Sequence, residues 1–171
     1  MFKINLSQLL TIFSLVLFAT ACNLFKPVPE KDSISTTVFL ETPFSKTITP
    51  EYLEENLGRR LKEEKIPVSN IHNPEQTDTV LVMHYRSSSF YFYLTSDNRA
   101  LFYEANIKNP RIRLIADLRT GIKKDAFREA FRDINELDSD TLQVIEDEFS
   151  KAIFEFKRDR LQKIKIENYL D

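Results

Sequence analysis

Thr79-Val80-Leu81-Val82-Met83-His84-Tyr85-Arg86-Ser87-Ser88-Ser89-Phe90-Tyr91-Phe92-Tyr93-Leu94-Thr95 is the stretch on which the fold turns. β-Branched and aromatic residues dominate it, and such side chains suit a pleated, half-buried surface. Ser87, Ser88 and Ser89 between the two apolar halves mark a bend or bulge. Downstream, Asp97-Asn98 predicts a turn, with Arg99 at the tip of a hairpin, and residues 101–107 predict a further strand. Pro110 separates that strand from Arg111-Ile112-Arg113-Leu114-Ile115-Ala116-Asp117-Leu118-Arg119, the clearest alternation in the chain. Ile112, Leu114, Ala116 and Leu118 face inward there, with Ile115 the exception, which predicts a strand. Thr120-Gly121 predicts a turn. Residues 126–133 have helical propensities, but their place after a hairpin turn favours a last strand.

Helices are expected on either side of this β-rich centre. Thr49-Pro50 is a helix start, a capping hydroxyl followed by proline at the first helical position. Leu53, Leu57, Leu61 and Ile66 continue as one apolar stripe until Pro67 ends it. Asp138-Ser139-Asp140 offers caps for a long final helix, in which Leu142, Ile145, Phe149, Ile153 and Phe156 recur at spacings of three and four and run on to Leu161 and Ile164. The acidic start and basic end of that stretch complement a helix dipole. Thr36-Thr37-Val38-Phe39-Leu40 predicts a first strand, closed by Pro43. The expected architecture is α+β, a two-layer sandwich of a mostly antiparallel sheet with two helices packed on one face. It occupies residues 36–171 as a single domain.

The N-terminus is organised differently. Lys3 supplies a positive charge, residues 9–19 are apolar, and Ala19-Thr20-Ala21-Cys22 follows. The run is shorter than the roughly 20 residues a membrane-spanning helix needs, and it fits the apolar region of a secretion signal. Cys22 is the only cysteine, so it cannot take part in an internal disulfide framework. The pattern resembles a bacterial lipoprotein signal, although Thr-Ala-Cys is preceded by Ala19 where such signals more often have Leu. The resemblance implies cleavage between Ala21 and Cys22 and acylation of Cys22. Two or more acyl chains hold a protein stably on a membrane. Residues 1–21 are then a signal peptide and 22–35, with their prolines and charges, a tether of at most about 45 Å.

Composition bounds the function. The chain has 171 residues, 24 Lys and Arg, 26 Asp and Glu, and a net charge of −2. That balance carries no nucleic-acid signature. Fourteen Phe, six Tyr and no Trp predict an aromatic-rich core, and only two glycines speak against glycine-rich phosphate loops. His72 and His84 are the only histidines. His84 has no partner at ligand spacing, so it reads as a structural residue. Serine-nucleophile, Walker and zinc-protease motifs are missing, and Glu54-Glu55 and Glu63-Glu64 read as solvated helix faces. The expectation is a non-enzymatic protein without catalytic, metal or cofactor residues. One feature has functional content. Arg99, Lys108, Arg111, Arg113, Arg119, Lys123, Lys124, Arg128 and Arg132 crowd the later elements. A row of guanidinium groups on a sheet suits phosphates or carboxylates of a lipid or partner. The alternative is an exposed sheet face balanced by Asp117, Asp125, Glu129 and Asp133.

The layout as a whole resembles the LPS-assembly lipoprotein LptE family. The likeness rests on the cysteine at the end of the signal, the short tether, the strand at Val38-Phe39-Leu40, the helix ending in Lys65-Ile66-Pro67-Val68 and the strand opening Thr79-Val80-Leu81-Val82. It continues with the hairpin turn at Asp97-Asn98-Arg99, Ala105-Asn106-Ile107, the stretch from Leu118-Arg119-Thr120-Gly121 to Phe127-Arg128-Glu129-Ala130-Phe131, and a long C-terminal helix. The resemblance is one of pattern over roughly residues 22–165, without an invariant motif. It implies a periplasm-facing protein lipid-anchored to the outer membrane, where it plugs a β-barrel translocon protein and contacts lipopolysaccharide. Arg99, at a hairpin tip, is the residue expected to contact lipopolysaccharide or another anionic partner. The alternative is a periplasmic lipoprotein module that regulates cell-wall synthesis or another envelope complex. In the sorting scheme of the enteric lipoproteins that the signal resembles, Asp after the cysteine favours the inner membrane, so the resemblance implies the outer membrane for Asn23.

Overall fold

The apolar halves of residues 79–95 form the second and third strands of a seven-stranded antiparallel sheet in the computed structural model, which describes residues 33–169 apart from 71, 72, 74, 98 and 147–149. Strands β1 (Leu61–Ser69), β2 (Thr77–Tyr85), β3 (Ser88–Leu94) and β4 (Ala100–Ile107) run as a meander. β5 (Thr141–Ile145), β6 (Ser150–Lys157) and β7 (Arg160–Asn168) form a second one. β7 pairs with β4, giving the order β1-β2-β3-β4-β7-β6-β5. Among the described residues three short α-helices accompany the sheet: α1 (Thr36–Glu41), α2 (Pro50–Leu57) and α3 (Lys124–Glu129).

The α+β class and the antiparallel sheet stand as expected, while several elements differ from their sequence reading. Residues 36–40 form α1 and not a strand, despite three β-branched residues. The Ser35 hydroxyl accepts from the Val38 N–H at 3.2 Å and caps the first turn. The Asp133 carboxylate accepts from the Thr36 N–H at 2.9 Å and from its hydroxyl at 2.7 Å. Cap and tertiary anchor together outweigh the local propensity. α2 starts at Thr49-Pro50 as expected, but it stops at Leu57 because Gly58 takes a positive φ of 66°. Leu61, Ile66 and Pro67 belong to β1, an edge strand where a missing N–H is tolerated.

The Arg111–Arg119 stretch is not a strand. Ile112, Leu114 and Leu118 are buried as the alternation requires, but the chain folds back on itself. The Leu114 N–H donates to the Leu118 carbonyl (2.8 Å), with Ala116 and Asp117 both at φ 56°. Residues 126–133 form α3 and its exit, which buries Phe127, Ala130 and Phe131 on one side at helical spacing. The expected long C-terminal helix is replaced by β5, β6 and β7. Ala152, Phe154 and Phe156 alternate inward on β6, as do Ile164 and Ile166 on β7, and a register shift brings Leu161 inward opposite Phe156.

The main core lies between one sheet face and the helices. Phe127 is its hub, with ring centroids 4.8 Å from Phe154, 5.1 Å from Phe131 and 5.1 Å from Phe156. Phe39 reaches Phe154 at 5.3 Å and Phe131 at 5.7 Å, so α1 and α3 share one aromatic cluster. At the other end Phe44 packs on Phe90 and Phe102.

Candidate functional site

Among the described residues no helix lies on the opposite face of the sheet, and strand register fixes what it presents. Directly opposed residues in antiparallel strands share a face. One row runs Ile66–Val80–Tyr93–Leu101 across β1 to β4. The next runs Glu64–Val82–Tyr91–Glu104–Glu167–Lys151–Ile145 across the whole sheet. A third contains His84, Ser89, Asn106, Lys165 and Ile153. The β3–β4 register shifts between Tyr91 and Phe92, leaving Tyr103 as an extra residue beside Glu104. Its ring lies 6.0 Å from that of Tyr91. Ile66 is 38% and Leu101 36% exposed.

This face therefore has two halves. Over β1–β4 it sets Ile66, Val80, Val82, Leu101, Tyr91, Tyr93 and Tyr103 beside the polar Glu64, His84 and Ser89. Over β4, β7 and β6 it is a lattice of opposite charges: Lys151 to Glu167 (2.7 Å), Lys163 to Glu155 (2.7 Å), Lys165 to Glu104 (3.7 Å), and Lys165 to Glu167. Glu104 and Glu167 sit directly opposite each other in register, and Lys165 between them removes the repulsion. The Glu167 carboxylate holds Lys165 above its ordinary range, against partial desolvation. Burial pushes Glu167 upward, but hydrogen bonds from Lys151 and Lys165 outweigh it and hold the carboxyl low. Burial, then Glu104 and Tyr91, push the Tyr103 phenol up. These charges are spent on one another, so the lattice offers a neutral, hydrogen-bonding surface.

His84 lies on this face between Ser89 (3.1 Å) and Glu64 (3.3 Å). Among the described residues no group of His, Cys, Asp and Glu is placed to hold a metal ion. At the far end of β2, Asp78 accepts hydrogen bonds from Tyr93, from Asn70 (2.6 Å) and from Gln76 (3.0 Å). The Tyr93 hydroxyl is the main reason its carboxyl sits below the usual range. This knot ties the β1–β2 connection to β3 and is structural.

A second feature lies on the helix side. Phe44, Ser45, Lys46, Tyr52, Glu55, Arg113 and Asp117 line an open cleft of ≈ 750 Å³. Ser45, Ala116 and Asp117 around it all have positive φ. Arg113 is bound to Asp117 at 2.7 Å, with Arg119 at 3.8 Å from the same carboxylate. The cleft is polar and close to neutral.

The sequence-predicted residues are dispersed. Ala21, Cys22 and His72 lie outside the described residues. Arg99 is 71% exposed beside the β3–β4 turn, with its Nε donating to Asp97 at 2.7 Å. Lys108, Arg111, Arg113 and Arg119 do not form a row on a sheet face. They lie on the irregular segment after β4, at the opposite end of that strand from Arg99. Lys123, Lys124, Arg128 and Arg132 surround α3, where Lys124 pairs with Asp140 (2.9 Å) and Arg128 with Asp125 (3.5 Å). The tyrosine half and the charge lattice escaped sequence reading, because only strand register brings their members together. Among the described residues no helix is long and apolar enough to cross a membrane. No protein-family model, curated protein or solved structure matches the chain.

Proposed function

We propose that the chain is a non-enzymatic, lipid-anchored envelope protein that works by binding a protein partner. The observation that carries this reading is the sheet face away from the described helices, where the exposed Ile66 and Leu101, in one row with Tyr93, adjoin a self-neutralised charge lattice. Apolar and tyrosine side chains beside satisfied polar groups suit a protein interface. Neutralised lysines do not suit a cluster of phosphates. The anchor is Cys22, and a tether of about 45 Å at most keeps the domain near its own membrane. That reach supports a partner in the same membrane, in line with the resemblance to a plug of an outer-membrane β-barrel translocon. Regulation of cell-wall synthesis is the second reading, and it requires a partner farther away.

Capture of the tagged, lipidated protein from detergent-solubilised membranes tests this. The expected result is a stoichiometric outer-membrane barrel, lost on Leu101→Glu with Ile66→Glu, both at exposed positions. Retention of the barrel by that variant would remove the sheet face from the account, and capture of a cell-wall synthase would favour the second reading. Lipopolysaccharide contact at Arg99 is part of the same proposal. Asp97 already occupies that guanidinium, so an anionic headgroup must displace it. Arg99→Ala then lowers lipopolysaccharide binding without changing barrel capture.

A further inference from the structure

The two edges of the sheet are built differently. β1, at one edge, carries Lys62, Glu63, Glu64, Lys65 and Pro67, the charges and missing N–H that protect an edge from pairing. β5, at the other, reads Thr141-Leu142-Gln143-Val144-Ile145, with no charge and no proline. Its hydrogen-bond phase can be worked out. Asp140 and Glu146 both bond to β6, through the Phe156 N–H to the Asp140 carbonyl (2.7 Å) and the Glu146 N–H to the Ser150 carbonyl (3.3 Å). Bonded positions alternate along an antiparallel pair, so Leu142 and Val144 also face β6. The backbone groups of Thr141, Gln143 and Ile145 therefore point away from the sheet. The Thr141 N–H is taken by the Ser139 hydroxyl at 3.1 Å. Among the described residues, Gln143 and Ile145 keep both N–H and C=O for an incoming strand, and Ile145 is 58% exposed.

Charge identifies the occupant. Asp138 and Asp140 precede β5 and Glu146 follows it, all exposed. Asp140 pairs with Lys124, whereas Asp138 and Glu146 make no ion pair among the described residues. On the neighbouring strand Lys151 is engaged by Glu167. A second copy pairing antiparallel about Gln143 would set Asp140, whose side chain stays 75% exposed beside Lys124, against Glu146 at both ends, a destabilising arrangement. We infer that β5 receives an extended segment of a partner protein by strand addition, with a β-branched middle and a basic residue at each end. Those basic residues sit roughly 20 Å apart, the span from Asp140 to Glu146 at about 3.4 Å per residue. Backbone hydrogen bonds to Gln143 and Ile145 supply the pairing, and the acidic flanks set the sequence preference. The inference rests on the reading of the chain as an interaction module.

The test uses the full chain purified in detergent and a labelled synthetic peptide of alternating valine and threonine, with lysine at both ends. Binding is read by fluorescence anisotropy up to about 1 mM peptide, the weak end of the useful affinity range. The lysine-ended peptide should bind, and a glutamate-ended version should bind about two- to fivefold more weakly per ion pair, a gap that narrows with salt. Ile145→Pro removes one outward N–H without touching the β6 ladder, so it should abolish binding while the far-ultraviolet dichroism and melting temperature stay close to wild type. If that variant unfolds, Gln143→Pro is the second probe. No binding of either peptide, equal binding of both, or binding unaffected by proline would overturn the proposal. Self-association of the chain through β5 would overturn the choice of partner. Barrel capture that survives loss of peptide binding leaves the interaction-module reading standing, so the two failures are distinguishable.

Discussion

Phe127 offers the sharpest test of how the second half of the chain folds. Its ring is fully buried on α3 and faces Phe131, Phe154 and Phe156 at 4.8 to 5.1 Å. Phe127→Ala removes a large apolar side chain and leaves a cavity, a change that costs about 3–5 kcal/mol. Domains of this size have about 5–15 kcal/mol in total, so the variant should be folded but marginal. Two neighbours make the test decisive. Ala130 is fully buried and Glu129 exposed, because positions 127, 130 and 131 share a helix face. Ala130→Leu should then cost about 1–3 kcal/mol by overpacking, while Glu129→Ala should change stability by about 0.5 kcal/mol or less. A strand would put 127, 129 and 131 on one face and free position 130. Urea denaturation followed by circular dichroism, on the chain lacking residues 1–21, measures all three. A costly Glu129→Ala with a neutral Ala130→Leu would refute the helix and the packing built on it.

Further outcomes follow from the same geometry. Arg158 and Asp159 form the β6–β7 turn with φ of 51° and 61°, a shape that favours Asn-Gly, so Arg158→Asn with Asp159→Gly should raise stability by about 0.5–1 kcal/mol in thermal melts. Lys165→Ala leaves Glu104 and Glu167 opposed without their shared cation and should cost about 1–2 kcal/mol, partly restored by adding Glu104→Gln. The Asp78 carboxyl is held low, chiefly by Tyr93. The stability it contributes is present above the unfolded carboxylate range, near pH 4, and is lost as pH falls through the lower folded value. Asp78→Asn should therefore flatten the fall in unfolding midpoint between neutral and acid pH. An unchanged slope would show that the knot does not couple to folding.

The β-rich centre was legible because residues 79–95 and 100–107 combine β-branched and aromatic residues with turn signals at either end. The C-terminal third was not, for a reason specific to this composition. Hairpin turns usually announce themselves through glycine, but the chain has two glycines and builds the turns at Arg86 and at Arg158-Asp159 from residues that strain into positive φ. With the turn hidden, residues 142–164 read as one continuous element. Leu142, Ile153 and Phe156 then fit a period near 3.6, although Ile153 and Phe156 fall on opposite faces of β6. Phe154 breaks the helical stripe and is fully buried; the local alternation Ala152, Phe154, Phe156 was the signal that could have revealed β6. Members of the acidic-to-basic gradient that resembled a helix-dipole pattern pair with other elements, Asp140 with Lys124, Lys163 with Glu155 and Lys165 with Glu104.

That same substitution of elements bears on function. The family resemblance was carried in part by a strand at residues 38–40 and a long C-terminal helix, and the chain forms a helix and three strands there instead. What remains of the functional reading stands on surfaces that the second meander creates. Pairing β7 to β4 extends a four-stranded sheet into seven strands, which sets the charge lattice beside the tyrosine half. It also places an uncharged strand, β5, at the rim. Had residues 142–164 been a helix, they would have added no strand to the sheet, and neither the lattice nor the receptive edge would exist. A protein that only needed a stable core could end its sheet in charged residues, as β1 does. Leaving β5 uncharged between acidic flanks carries an aggregation risk, and a partner strand that covers it removes that risk.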